Sequence, residues 1–148
     1  MRGQSVLDDI GKRCESVEEC YEFLLAYAAQ GLPSDRGSES GGQVRDFLQN
    51  AVKALTGLAE TCAGVVKEEG IEPTDKYLAF FAVLDRDARD SLAAIEMVLA
   101  QPEIGSQLID NLNASIHLRA LLTDLFLITE ILSKQKTAAA QEVAGRSE

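Results

Sequence analysis

The sequence has no tryptophan, and only three cysteines, three prolines, two methionines and one histidine among 148 residues. One histidine cannot furnish the paired Glu-x-x-His units of a di-iron bundle. Three cysteines without a C-x-x-C spacing build neither a thiolate zinc cage nor a covalent haem attachment. Cationic side chains are scarce as well, with 14 Lys and Arg against 24 Asp and Glu, for a formal charge of -10. Such a surface repels nucleic acid and anionic membranes, so neither is expected as a partner. Long apolar runs are also missing. The greasiest part, 118–132, is interrupted by Arg119, Asp124 and Glu130 and falls short of the ~18 apolar residues of a spanning helix. No apolar run near the start has the length of a signal peptide. A cytoplasmic location is therefore expected, with Cys14, Cys20 and Cys62 as free thiols.

What is present is the composition of a folded domain: 46% apolar and 26% charged side chains. A single domain over 1–148 is expected. Apolar residues recur at three- and four-residue spacing, and no window shows the two-residue alternation of a strand. Ser5 opens a short helix to about residue 13. Ser16 and Glu19 form a capping box that opens a helix over 16–30, with Val17, Cys20, Tyr21, Leu24, Tyr27 and Ala28 on one face. Gly31 and Pro33 stop it. Segment 32–42, with three glycines, three serines and a proline, reads as the one real loop and the most mobile part. Ser40 and Gln43 repeat the capping spacing, so the next helix is expected over 42–69. Pro73, Thr74 and Asp75 open another over 74–100. Pro102 and Glu103 suit the first turn of a last helix over 102–136, which Gly105 and Ser106 are placed to interrupt or delay. Segment 137–148 has little to bury and is expected to fray. The pattern predicts an all-α, up-and-down antiparallel four-helix bundle with a short N-terminal helix.

Two features of the last helix bear on function. Its apolar side chains point nearly all round the axis, as in a helix covered on every side. Either it is the central element or its extra face meets a second subunit, and the bundle geometry favours the second. Leu118, Leu122, Phe126 and Ile131 are thus the expected homodimer interface. Between the apolar sectors Asp110, Asn113, His117 and Asp124 fall within about 60° of one another at 100° per residue. They are the candidate ligand-binding seam, against the simpler reading of a wetted helix edge or a polar register mark within an interface.

Other patterns carry less. His117 is followed by Leu118, Arg119, Ala120 and Leu121, which lacks the lysine and glycine expected of a phosphotransfer site. The run from Asp85 to Asp90 resolves into two surface pairs, Asp85 with Arg89 and Arg86 with Asp90. Ser40-Gly41-Gly42 presents backbone N–H groups but lacks the lysine and preceding strand of a phosphate loop, and reads as a capped linker. No catalytic residue, metal site or cofactor is expected. The leading reading is a non-catalytic adaptor, assembly factor or regulator that self-associates on the 102–136 helix and binds another protein. The alternative is a bundle that holds a small ligand or cofactor, as a sensor or minor enzyme. There His117 and Asp124 would line the pocket, and Tyr77, Phe80 and Phe81 would supply apolar walls. A third is an amphipathic coat for apolar granules.

Overall fold

The computed structural model describes the backbone of residues 2–147 and the side chains of residues 5–135. The described residues form six helices and no strand: α1 (Arg2–Ala29), α2 (Glu39–Leu55), α3 (Leu58–Glu69), α4 (Thr74–Leu99), α5 (Ser106–Ala114) and α6 (Ile116–Ser147). The chain is all-α. None of its helices is long and apolar enough to cross a membrane, among the described residues.

The expected short N-terminal helix is not separate. Leu7, Ile10, Cys14, Val17, Cys20, Leu24 and Tyr27 are all buried along α1. That three-and-four rhythm runs straight through Ser16, so burying one continuous stripe outweighs a local start signal. The helix expected over 42–69 begins earlier and is broken in the middle. Ser38, not Ser40, is the cap: its hydroxyl accepts from Gly41 N at 2.9 Å. The break falls at Thr56 and Gly57, where Gly57 takes a φ of 76°. Thr56 and Thr61 hydroxyls close on Val52 O and Gly57 O, and the freed Thr56 carbonyl accepts from Arg13 Nη1 at 2.8 Å.

α4 occupies the expected span. The last helix, by contrast, starts at Ser106 rather than Pro102, and it breaks at Ser115. Residues 102–105 form a connector that is exposed at Pro102 and Glu103 and anchored in the core at Ile104. Ile104 is fully buried, and a Cβ on Gly105 would stand 2.8 Å from Pro33 O, so only glycine fits that approach. At Ser115 the backbone is extended, and its hydroxyl accepts from Leu118 N at 3.2 Å to open α6. α6 continues past Lys136 with helical backbone to Ser147. The side chains of 136–144 and 146–148, on which the expectation of a frayed tail falls, lie outside the described residues.

α1 packs against α2, α3, α5 and α6, and α4 packs against α2, α3, α5 and α6 as well. One end of the molecule gathers the C-terminus of α1, the N-terminus of α2, the C-terminus of α4 and the N-terminus of α5. Tyr27 Oη donates to Ile104 O at 2.6 Å, Ser106 Oγ donates to Tyr27 O at 2.6 Å, and Ser106 Oγ in turn accepts from Leu32 N at 2.8 Å. Arg45 Nη1 and Nη2 donate to Leu99 O and Gln101 O, which covers the orphan carbonyls at the end of α4. Asp35 orients that guanidinium at 2.9 Å and accepts from Ile104 N at 2.8 Å. Segment 32–42 is poor in apolar anchors, and these polar groups tie its first residues down instead.

Candidate functional site

The face where α4 meets α6 holds the buried carboxyl of Asp124 and an apolar groove. The two helices run antiparallel, so residue pairs step along the contact in opposite directions. Ser91 Oγ donates to His117 O at 3.0 Å, and His117 Nδ1 stands 3.9 Å from Asp90 Oδ2. Two turns further along α6, Asp124 is 6% exposed, with Asp87 of α4 as its hydrogen-bonding neighbour. Asp124 Oδ2 has no hydrogen-bond partner among the described residues. Burial, then the hydrogen bond to Asp87 and its charge, push the Asp124 carboxyl up to about 7.

One turn beyond the acid pair the seam opens into an apolar groove of about 180 Å³. Tyr77, Phe80 and Phe81 of α4 and Ile128, Ile131 and Leu132 of α6 line it, with Lys76 at its edge. Gln135 Nε2 donates to Tyr77 Oη at 3.4 Å across its far end. The three aromatic residues expected as pocket walls therefore do line a groove.

The expected polar seam does not converge. The break at Ser115 separates its members, so Asn113 on α5 turns toward α1, where its Nδ2 donates to Leu24 O at 3.1 Å. Asp110 is exposed on α5. His117 is half exposed and is not among the groove-lining residues. It lies 14 positions from Ile131, or about 21 Å along the helix at 1.5 Å per residue. Asp124 lies between the two, one turn from Ile128, and it meets a partner that composition did not single out. Asp87 was hidden in the 85–90 charge run. Its signal was there, since Asp85 has Arg89 four residues on while Asp87 has Val83 and Ser91 at those spacings. The Asp85–Arg89 pair forms at 2.9 Å. The expected Arg86–Asp90 pair is not among the described ion pairs, and Asp90 instead faces His117.

The expected interface residues divide in the same way. Leu118 and Leu122 are 4% and 5% exposed and are spent on the chain's own core, where no second subunit can reach them. Phe126 is 57% exposed and Ile131 37%. Ile116 and Leu127, at 76% and 46%, join them on the outer side. α6 packs against α1, α4 and α5 through its buried Leu118, Leu121, Leu125, Ile128 and Leu132, while Ile116, Phe126 and Leu127 stay exposed.

The three cysteines are buried and free, and burial pushes Cys14 up to about 11 and Cys20 and Cys62 up to about 12. Thiols so placed stay protonated and act as small apolar side chains. Among the described residues no group of three or more His, Cys, Asp or Glu side chains gathers as a metal site. Comparison of the chain with protein-family models, curated proteins and solved structures gives no match in any of the three.

Proposed function

We propose that the protein is a cytoplasmic, non-catalytic up-and-down helical bundle that self-associates into a homodimer and serves as an adaptor, assembly factor or regulator for another protein. One observation carries the reading: the outer side of α6 exposes Ile116, Phe126 and Leu127 from a helix whose inner side is already fully used in the core. Large apolar side chains clustered on one open helix face mark a protein-binding surface, and left uncovered they are an aggregation hazard. Covering a Phe or Leu side chain is worth about 1.5–3 kcal/mol, before the costs of association. The acidic surface elsewhere keeps the molecule soluble and disfavours non-specific contacts.

Sedimentation equilibrium of the wild type and of Phe126→Glu tests this. The wild type is expected as a dimer and the variant as a folded monomer, because a carboxylate at that position would be buried in the interface. A wild type that stays monomeric at the highest workable concentration removes the reading.

The apolar groove between α4 and α6 favours a second reading, a binding site for a small apolar ligand, with Tyr77, Phe80 and Phe81 as its walls. Native mass spectrometry of the protein as purified distinguishes the two. A bare dimer supports the first, and a monomer with added mass supports the second.

A further inference from the structure

The exposed face of α6 has a charge pattern that bears on what covers it. Thr123 lies at the middle of that face. Arg119 and Leu127 flank it one turn away on either side, Ala120 and Phe126 stand three residues away, and Ile116 and Glu130 lie seven residues away. On a helix all six share one side with Thr123. Arg119 and Glu130 are both exposed, and they carry opposite charge at opposite ends of an apolar centre. Glu130 has a weak surface partner in Lys134 at 3.9 Å, whereas Arg119 makes no ion pair among the described residues.

We propose that the surface is filled by a second copy of this chain, lying antiparallel on α6 about a two-fold axis that passes between the levels of Asp124 and Leu125. The exposed residues 119, 123, 126 and 130 then mirror one another across the axis. Thr123 meets the partner subunit's Phe126, and Arg119 meets the partner subunit's Glu130. The two-fold makes each contact twice, so two ion pairs bracket a centre formed by the two Phe126 rings. A C2 interface needs a patch that is complementary to itself under reversal. This face meets that condition, because reversing it about the point between 124 and 125 exchanges the cation with the anion. A parallel pairing in the same register would set Arg119 against Arg119 and Glu130 against Glu130, which is repulsive.

The inference rests on the self-association proposed above and adds its register, and charge reversal separates the two. Arg119→Glu places two carboxylates opposite each other at both ends of the dimer, and Glu130→Arg places two guanidinium groups there. Each single variant is expected to dimerise at least about tenfold more weakly than the wild type, since like charges set face to face at an interface are strongly disfavoured. An equimolar mixture of the two variants restores every pair, because one protomer then carries only acids at these positions and the other only arginines. The expected result is a heterodimer of near wild-type affinity in sedimentation and native mass spectra, from variants that each give a wild-type circular dichroism spectrum. A wild-type dimer that both reversals leave unchanged, or a mixture that fails to recover, overturns the register while the homodimer stands. A wild-type monomer overturns both, and binding of a different protein or a small ligand to the face then becomes the remaining occupant.

Discussion

A proton held on Asp124 links the α4–α6 contact to pH. Burial and Asp87 raise this carboxyl from 3.8 to about 7. Between those limits the folded chain keeps a proton that the unfolded chain releases. Stability is therefore greatest at the acidic end of that window and falls as pH rises through about 7. Asp35 works in the opposite sense. The Ile104 N–H and the Arg45 guanidinium lower its carboxyl, and the stability they provide is lost as pH falls below the ordinary carboxylate range. Urea unfolding is expected to show a maximum at mildly acidic pH, with a loss on the order of 1–4 kcal/mol from about pH 5 to about pH 8. Asp124→Asn should flatten that alkaline limb, since an amide can donate to Asp87 at every pH. An unchanged limb in that variant would assign the effect to other groups. At this scale the sequence was partly legible. Asp124 and His117 stood out as polar side chains on an apolar helix. Asp87 did not, because a charge run looks solvated until the helix phase shows which member faces inward.

At the level of helices, type was readable from apolar spacing, as were the ends at Ala29, Glu69 and Leu99, whereas the internal breaks and several starts were not. Ser16 resembles a start and is the interior of α1, because burying Ile10, Cys14 and Val17 on one stripe overrides a cap. Thr56 and Gly57 sit in a stretch whose apolar spacing continues unbroken, yet the helix breaks there and the freed Thr56 carbonyl is taken by Arg13 from α1. That contact spans 43 residues, and local pattern cannot carry it. Ser115 breaks the last helix in the same way, and the break is why Asn113 and Asp124 serve different neighbours. Gly57→Ala tests whether the break is required. In a continuous helix the change gains up to about 1 kcal/mol, whereas at a φ of 76° it costs about 1–2 kcal/mol. A lowered denaturation midpoint is expected. A raised one would mean that α2 and α3 prefer to join and that the Arg13 contact contributes little.

At the scale of the whole molecule, a formal charge of -10 opposes the proposed dimer. Two such molecules repel over distances far longer than the contact itself, and the repulsion is screened by salt. In the proposed register the Arg119–Glu130 pairs would pull the other way and also be weakened by salt, but each would act across a few ångströms at a partly desolvated interface. The Debye length falls from about 30 Å at 0.01 M to about 8 Å at 0.15 M ionic strength. Screening over that range removes most of the long-range repulsion while leaving close pairs largely intact. The dimer should therefore tighten as sodium chloride is raised from low to physiological concentration. It should tighten further for apolar burial alone in sulfate, which is excluded from protein surfaces. Sedimentation at both salt concentrations decides the balance. Tightening would show net charge to be the main opposing force. Loosening would mean that the paired ends, rather than the Phe126 centre, supply most of the affinity, and in that case the single charge reversals should abolish association outright.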